Sequence, residues 1–136
     1  MDLKEYILPE STFIGGWYIP SQICDELISF FKNHKANHTP GTVSHPPCVD
    51  LNYKDSIDIF VDPKYNNPLI QSYLKYLQEI IFKYQDRYEA IKDCEKFGLV
   101  EPIQVQYYKA GAGFKKWHFE RTDKNINRCL VFMTYL

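Results

Sequence analysis

The sequence predicts an α+β fold, and three observations carry that reading. Two segments in the first 91 residues repeat their apolar side chains at the helical period. From Gly98 onward the pattern changes to short strand-like runs. Aromatic residues make up 16% of the chain, eleven Tyr, nine Phe and two Trp, and such side chains suit half-buried sheet surfaces and aromatic-lined cavities.

Taken in order, residues 1–19 read as an extended lead-in, with Phe13, Ile14, Trp17, Tyr18 and Ile19 around a Gly15-Gly16 turn. Pro20 and Ser21 open a helix that carries Ile23, Leu27, Phe30 and Phe31 on one face. Asp25 and Glu26 lie early in it, where the helix dipole favours them, and the helix should run to about Lys35. Residues 36–51, rich in His, Pro, Gly, Thr and Ser, read as a long loop of the kind that often carries substrate selection. Ser56 to Val61 alternates as a strand and is closed by Asp62-Pro63. Asn67-Pro68 then starts the longest helix, with Pro68 at its first position. Leu69, Tyr73, Leu77, Ile80, Ile81, Tyr84, Tyr88 and Ile91 make one apolar stripe along it, read as a core face. Val100 to Tyr108 is expected as a strand, followed by a glycine turn over Lys109 to Gly113. Phe114 to Phe119 is expected to be extended, residues 121–127 turn-like, and Arg128 to Leu136 a strand.

The 136 residues fit a single domain, with 1–97 as a helical support region containing one strand and 98–136 as the first core strands. A net charge of -1 provides no electrostatic footprint for nucleic acid or an anionic membrane. No apolar run is long enough to span a bilayer, and the N-terminus lacks the basic and apolar regions of a signal peptide. Cys24, Cys48, Cys94 and Cys129 show neither CxxC spacing nor a paired framework, so free thiols in a reducing cytoplasm are expected. The last residue falls inside an apolar run, which reads as a truncation leaving an exposed C-terminal strand able to pair with a second copy in a homodimer.

The sharpest chemical feature is His118-Phe119-Glu120. On a strand, residues two apart project to one face, so an imidazole and a carboxylate would converge. That pair supplies two members of a 2-His-1-carboxylate facial triad, which holds Fe(II) and leaves positions open for cosubstrate and oxygen. A surface strand that happens to carry His and Glu would look the same. Strand parity adds that Gln104, Gln106 and Tyr108 share one face, lining a polar pocket or facing solvent.

Tyr107 to Glu120, YYKAGAGFKKWHFE, resembles the motif of prolyl 4-hydroxylase-like oxygenases that depend on Fe(II) and 2-oxoglutarate. Tyr108, Gly111, Phe114, His118 and Glu120 occupy the motif's places, and RCLVFMTYL, beginning at Arg128, resembles the family's next strand. The chain departs from that pattern in having Glu where Asp is usual, and one extra residue between Phe114 and His118. The resemblance implies helices packed on a double-stranded β-helix, or jelly roll, of which only the first strands are present. It implies His118 and Glu120 as iron ligands, and Tyr108 and Tyr135 as contacts to 2-oxoglutarate, with Gln104 and Gln106 available beside them. It places Arg128 near the substrate entrance, and ascorbate as an auxiliary reductant. The substrate expected is a peptide or protein, hydroxylated at a prolyl-like residue. The second ligating His and the basic residue that pairs with 2-oxoglutarate would fall beyond Leu136, and His34, His38 and His45 are poor substitutes. Two readings without catalysis stay open: an inactive jelly-roll fragment that self-associates, and a cupin-like binding module.

Overall fold

In the computed structural model, residues 2–44, 46–94, 96–121 and 126–136 are described. They form two units, one from Met1–Phe30 and Asp62–Glu101 with Leu136, the other from Phe31–Val61 and Pro102–Tyr135. His45, which the sequence placed in the loop, and residues 122–125 of the expected turn lie outside the described residues.

The first unit carries the helices and a two-stranded antiparallel sheet, β1 (Glu5–Tyr6) with β2 (Gly16–Trp17). Gly16 is thus a strand residue, paired with Tyr6, rather than the turn that the Gly15-Gly16 pair suggested. Helix α1 spans Ser21–Asn33 and buries Leu27 and Phe30, three residues apart on one face. Helix α2 spans Pro68–Arg87. Its start has a clear local cause, because the Asn67 side chain accepts from the backbone N–H groups of Leu69 and Ile70 at 3.0 and 3.3 Å. Pro68, which has no N–H to satisfy, takes the first helical position. Tyr73 and Leu77 are the buried members of the predicted stripe; Ile70, outside it, is buried as well, whereas Leu69, which the stripe included, is only half-buried. The stripe outlasts the α-helix: beyond Arg87 the chain turns into a 3-10 segment, Glu89–Asp93, that carries Ile91.

The second unit holds an antiparallel sheet of order β3-β4-β5, from Thr39–Pro40, Ile57–Val61 and Ile103–Tyr107. The register pairs Ile59 with Val105 and Val61 with Ile103, so one face is apolar, and Ile59, Val61 and Ile103 on it are buried. The opposite face carries Asp58 against Gln106 and Phe60 against Gln104. β3 lies inside the stretch that the sequence showed as loop, and only its pairing with β4 makes it a strand.

Two expected strands do not form among the described residues. Phe114 makes an isolated bridge to Lys54, and residues 115–121 are irregular. Residues 128–136 likewise have no ladder, with Met133 and Tyr135 strongly exposed. An apolar, β-branched run records a preference for pleated surfaces, but a strand exists only where a partner supplies the hydrogen bonds. The mixture of helix and antiparallel sheet agrees with the α+β class. Among the described residues no helix is long and apolar enough to cross a membrane.

Candidate functional site

The site builds outward from the start of β4. Lys54, Ser56 and Asp58 stand two residues apart and therefore on one face, away from Ile57, Ile59 and Val61. All three are buried, Asp58 to 1% exposure. Lys54 Nζ donates to Asp58 Oδ2 at 2.7 Å, and Ser56 Oγ donates to Oδ1 at 2.7 Å. Both carboxylate oxygens are thereby satisfied, the condition under which a buried charge pair persists. Gly41 leaves the room for this cluster, since a Cβ there would come within 2.1 Å of Ser56 Oγ. Its own N–H donates to Ser56 O at 2.9 Å.

β5 supplies the neighbouring wall. Tyr108 Oη donates to Gln106 Oε1 at 3.1 Å, and Gln106 Nε2 donates to Gln104 Oε1 at 2.6 Å. The three side chains that parity placed on one face are therefore linked in a line, with both glutamines exposed. Burial, then the negative charge of Asp58, push the Tyr108 hydroxyl above its ordinary value of 10.0, and a hydrogen bond with Ser56 opposes the shift. In the folded chain Tyr108 thus holds its proton more tightly than in the unfolded chain. Its contribution to stability is fully present below pH 10 and is lost as pH climbs through the raised value. In an alkaline titration followed by tyrosinate absorbance, Tyr108→Phe should remove a step lying above the bulk of the tyrosines. Loss of an ordinary step instead would mean that neither burial nor Asp58 raises this hydroxyl.

The motif segment closes back onto β4. Gly111, at φ 81°, sits in the left-handed region that glycine adopts without strain, within the turn where the Ala112 N–H donates to Lys109 O. Past this turn, the Asp55 N–H donates to Gly113 O at 3.0 Å and the Lys115 N–H to Tyr53 O at 2.7 Å, which fixes Phe114 beside Lys54. The Phe114 ring meets Tyr53 edge-on and stacks on the His118 imidazole, with centroids 3.9 Å apart and planes 23° apart. Phe114, which the motif showed only as an aromatic place, is the residue that orients His118.

His118 and Glu120 come together, but not by the strand alternation expected from the sequence, because their segment is not a strand. His118 Nε2 lies 3.2 Å from Glu120 Oε1, while Nδ1 lies 3.2 Å from Lys116 O. With Nδ1–H donating to the carbonyl, the Nε2 lone pair faces the carboxylate oxygen. Two acceptors at that distance repel unless a second proton or a cation lies between them. The spacing is that of a hydrogen bond or ion pair when the imidazole carries both protons, and ligands at right angles on an ion bonded at about 2.1 Å would also lie roughly 3 Å apart. Arg128 grips the other side of the carboxylate, Nη1 donating to Glu120 Oε2 at 2.9 Å and to Glu120 O at 3.1 Å. It is thus found on the Glu120 carboxylate, a position that spacing alone did not reveal.

The remaining expected residues are elsewhere. Tyr135 is 87% exposed, with its hydroxyl 3.7 Å from Met133 Sδ. His38 stacks on Phe31 and holds Nε2 3.0 Å from Phe31 O, a structural placement consistent with leaving it out of the ligand set. No group of three or more His, Cys, Asp or Glu able to hold a metal occurs among the described residues. The buried Lys54–Ser56–Asp58 cluster was not anticipated, although its K-x-S-x-D spacing was a usable signal. Compared with family models, curated proteins and solved structures, the chain finds no match in any of the three.

Proposed function

We propose that this chain belongs to an Fe(II)- and 2-oxoglutarate-dependent oxygenase of the prolyl 4-hydroxylase-like kind acting on a peptidyl substrate, with His118 and Glu120 as two of its metal ligands. The observation that carries the reading is the 3.2 Å approach of His118 Nε2 to Glu120 Oε1, with Phe114 stacked behind the imidazole. On this reading the β3-β4-β5 sheet belongs to a jelly roll. An iron held by His118 and Glu120 would supply oxidation of a C–H bond coupled to decarboxylation of 2-oxoglutarate.

The chain's own residues set the stage for that chemistry. Lys116 O holds the imidazole proton on Nδ1, leaving Nε2 as the metal-facing nitrogen. Arg128 occupies one carboxylate oxygen of Glu120, directing the other toward Nε2. Tyr108 and the glutamine line offer neutral polar groups that would have to exchange their mutual hydrogen bonds to meet an anionic cosubstrate. The raised hydroxyl keeps Tyr108 protonated, and so able to donate, through the physiological range.

Anaerobic addition of Fe(II) and 2-oxoglutarate tests the reading through the visible charge-transfer band of the chelate. The band should form with the unaltered chain and vanish in His118→Ala. A second reading, a binding module without oxidation chemistry, is favoured by the two-donor set. It predicts no such band, together with a site indifferent to 2-oxoglutarate. A band that survives in His118→Ala would sink the oxygenase assignment.

A further inference from the structure

A separate cavity lies in the other unit, at the C-terminal end of α2. Its volume is about 410 Å³, and it is lined by Phe13, Tyr84, Tyr88, Glu89, Ala90 and Ile91. Tyr84 and Tyr88 are one helical turn apart, so their rings share a face, with centroids 4.8 Å apart and planes inclined at 50°. Phe13 approaches Tyr88 at 5.7 Å and 43°. The three rings are consecutive walls of one concave surface.

Their polar ends are already engaged. Tyr84 Oη donates to Phe13 O at 2.8 Å and Tyr88 Oη to Ile14 O at 3.3 Å. These bonds tie the 13–14 backbone to α2 and hold Phe13 in the left-handed region, at φ 53°, where a non-glycine residue is strained. The phenols are fixed as rims, and what the cavity offers a ligand is ring face.

One charge completes it. Among the described residues Glu89 takes part in no ion pair, whereas the cations on either side are matched: Arg87 to Glu5 and to Leu8 O, Lys92 to Asp86 at 3.6 Å. Arg87 also rests over the Tyr88 ring, 5.4 Å from its centroid, but is not among the residues lining the cavity, so only the part of the ring that lines it with Phe13 and Tyr84 is offered to a ligand. A metal ion would need several oxygen ligands, and the lining provides a single carboxylate. A primary ammonium would need three acceptors. A permethylated ammonium needs none, sheds water cheaply, and is held by ring faces with a carboxylate nearby.

We infer that Phe13, Tyr84, Tyr88 and Glu89 form an aromatic cage for a trimethylammonium group, the chemistry shared by choline and by the side chain of trimethylated lysine. The site is independent of the His118–Glu120 pair.

Calorimetric titration of the full chain tests it with choline, with N-acetyl-trimethyl-lysine amide, and with 3,3-dimethylbutanol, the uncharged carbon isostere of choline. The two cations should bind, and the isostere about tenfold or more weakly than choline. Phe13→Ala, at a side chain 70% exposed, and Glu89→Gln should each weaken cation binding about fivefold. Their circular dichroism should be unchanged. Tyr88→Phe, which keeps the ring, should retain binding. Stronger binding of choline assigns the site to a small molecule, and stronger binding of the lysine derivative assigns it to a modified peptide. Equal affinity for choline and the isostere, no heat with either cation, or full binding by Phe13→Ala would each overturn the cage.

Discussion

Replacing Asp58 with Ala should cost about 3–5 kcal/mol of folding stability, the range for breaking a buried ion pair from one side. The side chains of Lys54 and Asp58 are only 5% and 1% exposed, so solvent does little to screen their interaction. With Asp58 gone, the ammonium of Lys54 is left in a buried place without its carboxylate, and Ser56 loses its acceptor. Urea unfolding measures the loss. Lys54→Met in the same background should recover much of it, because removing both charges removes the desolvation penalty as well. A loss below about 1 kcal/mol in Asp58→Ala would mean that Lys54 simply swings out to water. The milder Asp58→Asn should also bring the Tyr108 hydroxyl part of the way back toward its ordinary value. The return is partial because burial, the larger cause of the shift, remains.

The second large effect is expected in the apolar interior, one residue per unit. Ile59 and Ile70 are each 1% exposed, Ile59 on the apolar face of β4 and Ile70 in the first turn of α2. Truncation to Ala removes three buried carbons and leaves a space that rigid neighbours fill only in part, costing about 2–5 kcal/mol. Chemical denaturation of Ile59→Ala and Ile70→Ala should show both losses. A change below about 1 kcal/mol at either position would show that the surroundings collapse into the space, and that the side chain is not held by tight packing there. Ile59 backs the strand that carries Asp58 on its other face, so its truncation should also loosen the polar cluster. The Tyr108 titration would report that loosening as a smaller upward shift.

What was legible in the sequence was local. The helix beginning at Pro68 could be read because Asn67 caps through its own side chain, two and three residues from its partners. The 57–61 strand and the common face of Gln104, Gln106 and Tyr108 follow from a period of two, which needs no knowledge of the rest of the chain. The closeness of His118 and Glu120 in sequence was legible, but the strand alternation expected to aim them together was not found, since the segment is irregular.

Tertiary structure decided everything that needed a distant partner. Thr39–Pro40 is a strand only because β4 lies beside it, and Arg128 to Leu136 is not one, for all its apolar character, because no ladder forms along it among the described residues. Phe114 reaches His118 through backbone bonds to residues some sixty positions earlier, at Tyr53 and Asp55. Lys54 becomes a buried charge only when Asp58 and Gly41 are folded around it. Tyr84 and Tyr88, read from the sequence as part of a core face, are only half-buried and line a cavity, with Phe13, more than seventy residues away, bound to them. Periodicity fixes which face a side chain takes along its own backbone. What that face meets depends on closing loops across tens of residues, where hydrogen-bond pairing and packing, not local preference, decide the outcome.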